Sequence, residues 1–240
     1  FLHVGICIMK IISAKEIDMT LHGRIMAGRV YCIHVKVDDV GSSAKSIIDM
    51  ISDVSWINKL EPAQQVAFRA TSERTVQKLV GDILSKVTDE VTSDFGEYLV
   101  SYTAQHVLEL HHTHVKVPLA ELLKEKVIGN PGFDFHTESD SNHIIFGEAK
   151  YSSVGTPRAD ALNQISEFID LKKDDAELNV LKHFVSPTAV SNFIDKRRGY
   201  VAAFSTNALN IDLVFKNALE SPVIEKFINY PELYLIAIDI

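Results

Sequence analysis

The chain has 240 residues and a formal net charge of −8, from 24 Lys and Arg against 32 Asp and Glu. Hydrophobic residues make up 46% of it and charged residues 23%, a globular composition that excludes disordered, collagen-like and coiled-coil chains. This length is sufficient for one large domain or two small ones. The acidic balance, with a pI near 5.7, argues against a protein that holds nucleic acid by bulk positive charge.

The sequence indicates a cytoplasmic protein. Two cysteines, Cys7 and Cys32, are too few for a disulfide framework, which favours a reducing compartment. No apolar run approaches the ~18–20 residues needed to span a bilayer, so we predict no membrane segment. The apolar stretch at residues 1–9 has no basic residues before it and no small-residue cleavage site. We therefore interpret it as a strand rather than a signal peptide.

The first ninety residues are predicted to contain strands followed by helices. Apolar, β-branched runs at residues 4–12 and 29–37 are typical of strands, and glycines between them indicate turns. Residues 38–43 are small or acidic for the most part, which predicts a loop. From residue 44 to about 91, apolar residues recur at helical spacing. We assign residues 1–90 to an N-terminal extension that is expected to dock a partner.

Residues 91–240 are predicted to form a second unit in which helices and strands alternate. Asp94 is expected to cap a helix that runs to about residue 110, with Glu97 at the capping-box position. The further predicted elements are a helix at 118–127, strands at 133–138 and 143–151 with a turn at 139–142, a helix around 159–169, a strand at 200–205, a helix at 214–228 and a strand at 233–240. This order indicates an α/β or α+β domain built in layers.

The tripeptide Glu148-Ala149-Lys150 carries the clearest chemical signal. Side chains alternate across a strand, so Glu148 and Lys150 are expected on one face and Ala149 on the other. A chain this acidic contains about two acid-x-Lys triplets by chance, and the other one here is Asp170-Leu171-Lys172. That second triplet ends a helical pattern, where residues i and i+2 do not share a face. The context therefore favours the first triplet.

The strand before this tripeptide is predicted to supply a second carboxylate. Alternation gives it a polar face of Asp134, His136 and Glu138 and an apolar face of Phe133 and Phe135. Pairing of the two strands would bring Asp134 beside Glu148. Two carboxylates at close range repel each other unless a cation bridges them, and Mg²⁺ prefers oxygen ligands. Lys150, on the same face as Glu148, would then position or help to deprotonate a water.

This motif and the order of elements resemble the PD-(D/E)xK nuclease superfamily, which has the restriction-endonuclease-like fold. The resemblance covers about residues 94–206. It implies a central mixed sheet flanked by helices, to which the N-terminal strands and helices are added. It also implies that Asp134 and Glu148, with the Ala149 carbonyl, bind Mg²⁺ or Mn²⁺ and that Lys150 is the catalytic lysine.

The same resemblance implies catalytic support from two further residues. Glu97 matches an acid that many members place on the first core helix, and Gln164 matches a glutamine that some members carry after the lysine strand. The first motif departs from the family pattern, because residues 131–134 place Gly-Phe between the proline and the aspartate. Asp134 or Asp140 is then the ligand, and we favour Asp134 because Asp140 falls in the predicted turn.

Three stretches around the site resemble the nuclease subunit of Hachiman-type anti-phage defence. They are residues 94–99, 132–134 and 146–151. Such subunits work with a helicase partner. The resemblance therefore implies a Mg²⁺-dependent DNA nuclease that is the effector of a prokaryotic defence complex.

Several alternatives stay open at the level of sequence. The hairpin acids are also compatible with a solvated face carrying cross-strand ion pairs, in a catalytically inactive interaction module, and a homodimeric restriction endonuclease is a third hypothesis. The basic run at residues 196–198 predicts either a phosphate contact or a solvated turn. The histidines His111, His112 and His114 point in different directions and do not favour a metal site. Glycine-rich phosphate loops, His-Glu-x-x-His, Gly-x-Ser-x-Gly and zinc-ligand spacings do not occur.

Overall fold

A computed structural model describes residues 9–83, 91–123 and 132–240. Its strands are β1 (Met9–Glu16), β2 (Arg29–Val37), β3 (Val115–Lys116), β4 (Phe135–Glu138), β5 (Ile144–Lys150), β6 (Gly199–Thr206) and β7 (Glu232–Asp239). Its α-helices are α1 (Val40–Ser52), α2 (Pro62–Lys78), α3 (Ser93–His112), α4 (Ala120–Leu123), α5 (Arg158–Asp170), α6 (Lys173–Leu181), α7 (Pro187–Ile194) and α8 (Ile211–Leu219). The chain is therefore a mixed α/β protein, which confirms the predicted fold class.

The strands of the described residues form one sheet in the order β1-β2-β7-β6-β5-β4-β3. β2, β7, β6 and β5 are parallel neighbours, whereas the strands at the two ends pair antiparallel. β6 and β7 are buried along almost their whole length, as expected of parallel strands with helices on both faces. Because the central strands are parallel, their carboxyl ends meet at one edge of the sheet, and Lys150 lies at that edge.

Helices cover both faces of the sheet and create two apolar cores. The first, which we call the α5 face, includes side chains of α5, α7 and α8. The second, which we call the α3 face, includes side chains of α1 and α3. Neighbouring residues of β5 divide between the two, since Phe146 belongs to the α5 face and Ile145 to the α3 face. This alternation fixes the register of β5 and places Glu148 and Lys150 on one face of the strand.

The N-terminal residues contribute two strands to the same sheet. β2 pairs in parallel with β7, from Arg29 opposite Glu232 to Lys36 opposite Asp239, and β1 pairs antiparallel with β2. The domain boundary predicted at residue 90 lies outside the described residues, as do residues 1–8 of the first predicted strand. No helix in the described ranges combines the length and the apolar character needed to cross a membrane.

Some element bounds differ from those predicted. The stretch 38–43, predicted as a loop, contains the start of α1, because Asp39 accepts a 2.9 Å hydrogen bond from the Ser42 N–H and caps the helix. The helix predicted at 118–127 begins at Ala120, as α4, and residues 124–127 lie outside the described residues. The helix predicted at 214–228 divides into α8 and a 3₁₀ segment, Pro222–Phe227, because proline cannot continue an α-helix.

Candidate active site

The β4–β5 hairpin places Asp134 beside the second half of β5. The Asp134 N–H donates a 2.9 Å hydrogen bond to the Gly147 carbonyl, and its Oδ2 atom accepts a 2.9 Å hydrogen bond from the Ala149 N–H. The N–H and C=O of one strand residue point to the same neighbouring strand. The Ala149 carbonyl is therefore directed to the side of β5 on which Asp134 lies.

The alternation predicted for residues 133–138 is wrong at its first residues. Phe133 packs on the α5 face and Phe135 on the α3 face, although the sequence predicts both on one face. The strand begins only at Phe135, after a bend, so the two-residue repeat does not extend back to Phe133. His136 and Glu138, which a solvated hairpin would expose, are buried.

Glu148 is completely buried, with 0% of its side chain exposed, and its two carboxylate oxygens differ. Oε1 accepts a 2.6 Å hydrogen bond from Lys150 Nζ, so the two side chains share one face of β5 as predicted. Oε2 is buried and has no hydrogen-bond partner among the described residues. A buried carboxylate oxygen without a partner is costly, and this atom is suited to bind a cation.

Glu97 approaches the same site from α3, with its Oε1 atom 3.9 Å from Lys150 Nζ. The cap of α3 is Thr92, whose hydroxyl accepts a 3.3 Å hydrogen bond from the Phe95 N–H. The helix therefore starts earlier than predicted, and the assignment of Asp94 as the cap is wrong. Glu97 consequently lies one turn into the helix, beyond the capping-box position.

A close contact between Gly96 and Tyr151 joins α3 to the end of β5. A Cβ atom at Gly96 would lie 2.2 Å from Cγ of the Tyr151 ring, far inside van der Waals contact. The Tyr151 hydroxyl donates to the Val91 carbonyl at 3.4 Å. Because Gly96 adjoins Glu97 and Tyr151 adjoins Lys150, this contact sets the approach of the Glu97 and Lys150 side chains.

Three carboxylates surround one lysine, so the site carries an excess of negative charge. Burial raises the pKa of Glu148 well above its ordinary value, and the charge of Asp134 raises it further against the effect of Lys150. Burial alone would lower the pKa of Lys150, but the nearby carboxylates, Glu148 foremost, outweigh it and raise that pKa. The two shifts differ in their main cause, but the charge of Asp134 raises both pKa values, and a site with more acids than bases favours an added proton or a bound cation.

The donor atoms of the site suit a hard divalent cation. They are the Asp134 carboxylate, Oε2 of Glu148 and the Ala149 carbonyl, all oxygen atoms of the kind that Mg²⁺ and Mn²⁺ prefer. In the part of the chain that the structure describes, no three His, Cys, Asp or Glu side chains group closely enough to form a metal site. A cation here would therefore keep several waters, which is usual for Mg²⁺ in proteins.

The amino-acid sequence matches the family model described as HamA over residues 24–234. The chain belongs to the HamA family. It is accordingly a component of Hachiman anti-phage defence. The matched range includes Glu97, Asp134, Glu148 and Lys150. No curated protein and no solved structure matches the chain.

In this HamA-family chain, α6 holds the residues on both sides of Asp134, a connection that the sequence did not reveal. Glu177 on α6 accepts a 3.2 Å hydrogen bond from the Phe133 N–H through Oε1 and pairs with His136 Nε2 at 2.7 Å through Oε2. Glu177 therefore fixes the backbone around Asp134. Phe133 and Glu177 are 44 positions apart, and no local pattern links them.

Two residues considered for the site lie apart from the cluster. Asp140 is exposed in the turn at the far end of the hairpin, which leaves Asp134 as the hairpin aspartate next to Glu148. Gln164 is half-buried on α5, the helix that packs on β5 and β6. No hydrogen bond between Gln164 and the cluster occurs in the described ranges.

The basic run at residues 196–198 is divided between the surface and the interior. Arg198 is buried, with Nη1 at 3.0 Å from Asp174 and 2.7 Å from Asp175, and its guanidinium lies 4.1 Å from the centre of the Phe193 ring. The other two basic residues of the run are exposed. Arg198 therefore serves the packing of this HamA-family chain, and a phosphate contact is open only to its two neighbours.

The histidines near the end of α3 are structural where they are buried. His114 lies 2.9 Å from the Thr137 hydroxyl through Nδ1 and 3.1 Å from the Tyr234 hydroxyl through Nε2. Burial lowers the pKa of His114 to about 4, so it is neutral near pH 7. Both ring nitrogens of His114 contact hydroxyl groups, so neither is available to a metal ion.

Proposed function

We propose that this chain is a Mg²⁺- or Mn²⁺-dependent DNA nuclease of the PD-(D/E)xK type, acting in the cytoplasm as the effector of a Hachiman complex. The observation that carries the proposal concerns Glu148. This side chain is completely buried, and one of its oxygens lacks a hydrogen-bond partner in the described ranges. It lies in the same acid-rich site as Asp134 and Lys150. A solvated hairpin face does not account for such a carboxylate. Membership of the HamA family supports the role in defence.

Asp134, Glu148 and the Ala149 carbonyl would hold the cation. When bound, the cation supplies positive charge that stabilises the phosphate oxygens during hydrolysis of the phosphodiester bond. Asp134 is oriented by the Ala149 N–H and by the bonds that Glu177 makes on either side of it. The burial of Glu148 keeps water away from its carboxylate, which strengthens the attraction between this group and a cation.

Lys150 acts, in this proposal, in its protonated form. Although burial alone would lower its pKa, the surrounding carboxylates raise it, so the side chain does not serve as a base near neutral pH. The ammonium group instead donates hydrogen bonds that orient the attacking water and neutralise charge on the phosphate. Glu148 and Glu97, at 2.6 and 3.9 Å from Nζ, hold the ammonium group in place.

A helicase partner is part of the proposal, because the chain alone is poorly suited to grip DNA. Its net charge of −8 opposes the electrostatic attraction on which DNA affinity mainly depends. We assign partner docking to residues 1–90. The exposure of α2 supports this assignment, since Ser72 is the one buried residue in its 17-residue length.

Cleavage of plasmid DNA by the purified chain, with and without the helicase, tests the proposal in the presence of Mg²⁺ or Mn²⁺. Glu148→Gln and Lys150→Ala are each expected to lower the rate by roughly 100-fold or more. Asp140→Asn is the matched control, because it removes an exposed acid from the same hairpin, and it should cut like the wild type. Equal cleavage by all variants would refute the assignment of the site.

Calorimetric titration with Mn²⁺ separates the nuclease from the inactive interaction module. The wild type and Asp140→Asn are expected to bind the ion, whereas Glu148→Gln is not. A folded wild-type chain that binds no Mn²⁺ would favour the module. Sequence-specific cutting by the chain without any partner would favour the homodimeric restriction enzyme instead.

A further inference from the structure

Two loops border the candidate site at the carboxyl edge of the sheet. The first, the β5 loop, covers residues 151–157 and begins directly after Lys150. The second, the β6 loop, covers residues 207–210. β5 and β6 are parallel, and Lys150 lies opposite Phe204, so both loops leave the sheet at the same edge. We refer to the two loops together as the rim.

Hydrogen bonds tie the rim to the end of the sheet. The Ser152 N–H donates to the Ser205 hydroxyl at 2.9 Å, and that hydroxyl donates to the Ser152 carbonyl at 3.2 Å. The hydroxyls of Thr156 and Thr206 are 3.1 Å apart, and the Ala208 N–H donates to Thr206 at 3.1 Å. The rim is therefore fixed relative to Lys150.

The rim also carries the two most exposed large apolar side chains of the described residues. Leu209 has a relative exposure of 106% and Val154 of 89%. Single exposed aliphatic side chains are common on protein surfaces. Here, however, the two most extreme cases lie on the two loops that flank one site, which indicates a contact with a partner molecule at that site.

The polar chemistry of the rim suits phosphates. Neither loop contains an acidic residue, although 32 of the 240 residues of the chain are acidic. Besides Tyr151, the polar residues of the rim are Ser, Thr and Asn, which commonly contact phosphate oxygens together with backbone N–H groups. Arg158 follows the β5 loop directly and adds a positive charge. With no acid in either loop and Arg158 beside them, the rim is suited to a negatively charged ligand.

We propose that the rim binds the nucleotides on either side of the scissile phosphate, with Val154 and Leu209 against their sugars and bases. This inference rests on one part of the proposed function, namely that the substrate is a nucleic acid. Aliphatic side chains held by fixed loops contact bases of any sequence, so the rim contributes affinity without sequence readout. The start of the rim at the residue after Lys150 favours the substrate over a protein as its occupant.

Binding of labelled DNA oligonucleotides, single-stranded and duplex, to the full-length chain tests this proposal. Fluorescence anisotropy is measured at low salt in a chelator, so that nothing is cut. The variant Val154→Ser/Leu209→Ser is expected to bind about five-fold or more weakly than the wild type, because two apolar contacts are lost. The control is Leu21→Ser/Ile25→Ser, which alters the next most exposed apolar pair, at 81% and 86%, at the opposite edge of the sheet, and its affinity should not change.

The salt dependence of binding supplies a second readout. Arg158→Gln is expected to lower the slope of log affinity against log salt concentration by about one, as for a lost phosphate contact. The Val154→Ser/Leu209→Ser variant should leave that slope unchanged, since its lost contacts are apolar. All of these side chains are exposed or half-buried on loops or at a helix start, and thermal unfolding of each variant should match the wild type.

Three results would overturn the proposal. They are the lack of any DNA binding by the wild-type chain, equal affinities of the wild type and the rim variant, and loss of helicase association by a rim variant that still binds DNA. The last result would identify the rim as a protein-docking surface. Binding is measured without metal and so does not depend on cleavage. A chain that binds DNA through the rim but never cuts it would contradict the nuclease proposal and would still support the rim proposal.

Discussion

Lys150 Nζ donates a 2.6 Å hydrogen bond to Oε1 of the buried Glu148, while Oε2 of the same carboxylate has no hydrogen-bond partner in the described part of the chain. The pair is thus incomplete as a buried salt bridge, because a stable one satisfies the remaining lone pairs as well. Asp134 adds a further negative charge nearby. This arrangement lowers the stability of the folded, metal-free chain, and the same excess of negative charge would hold a cation strongly.

Glu148→Gln is expected to stabilise the metal-free chain. The pKa of Glu148 is raised on folding. Between the ordinary carboxyl pKa and the raised pKa, the folded state therefore keeps a proton that the unfolded state has released. The free energy of unfolding falls as the pH rises through this interval. Glutamine imitates the neutral acid. The variant should therefore gain about 1 kcal/mol or more at pH 7, and the gain should shrink towards pH 4. Denaturant unfolding in a chelator measures both.

Mn²⁺ is expected to reverse that order of stability. A ligand that binds only the folded state raises the unfolding free energy, and the wild type alone retains the carboxylate that would bind the ion. Asp140→Asn should gain as much from Mn²⁺ as the wild type does. If Mn²⁺ stabilises Glu148→Gln equally, Glu148 is not a metal ligand.

Lys150→Met is expected to destabilise the chain in a pH-dependent way. The substitution leaves both oxygens of a buried carboxylate unpaired, which costs about 3 kcal/mol when that group is charged. The loss should be large at pH 8 and smaller at pH 5, where Glu148 takes up a proton more readily. The double variant Glu148→Gln/Lys150→Met should recover most of the loss in a double-mutant cycle. A loss that is the same at both pH values would contradict this coupling.

Gly96→Ala is expected to lower the unfolding free energy by about 1–3 kcal/mol and to impair cleavage. The added Cβ would lie 2.2 Å from Cγ of Tyr151, so the ring must move and Lys150, the residue before it, moves with it. Gly81→Ala is the matched control, because a Cβ there meets no atom of the described residues within 4 Å. Combining Gly96→Ala with Tyr151→Ala should relieve much of the cost, and an additive loss would show that the two residues do not clash.

Glu177→Ala is expected to loosen Asp134 without touching it. The change leaves the Phe133 N–H and His136 Nε2 without their acceptor, at a cost of about 1–3 kcal/mol. The Ala149 amide, which donates to Asp134, should then exchange its hydrogen faster, and Mn²⁺ affinity should fall. Glu167→Ala, which removes an exposed acid from α5, should leave exchange and affinity unchanged. Normal exchange of the Ala149 amide in Glu177→Ala would show that Glu177 does not position Asp134.

The hairpin could be predicted from the sequence because its signals are local. Alternating and apolar residues specify β5, the polar residues 139–142 specify the turn, and residues two apart on a strand share a face. Those rules suffice to place Glu148 beside Lys150. They fail at Phe133, because one bend before β4 ends the alternation on which the prediction depends.

The remaining features depend on contacts that no local pattern contains. Glu177 reaches Phe133 across 44 positions, and Glu97 on α3 lies 3.9 Å from Lys150 at the end of β5. Thr92 and Asp94 both have a high propensity for the N-cap position, so local sequence does not decide which of them caps α3. The pairing of β2 with β7 likewise joins elements from opposite ends of the described chain, which hydrophobic periodicity cannot anticipate.

The position of β7 has a consequence for biosynthesis. β7 lies between β2 and β6, and Arg29 of β2 meets Glu232 of β7, a partner translated roughly 200 residues later, so folding of the sheet depends on very distant contacts. While the chain is on the ribosome, β2 has one neighbour instead of two, and β6 has β5 alone. The sheet that supports Lys150 is therefore complete only after residue 239 has emerged. A nascent chain interrupted before that point would lack the finished scaffold around Lys150.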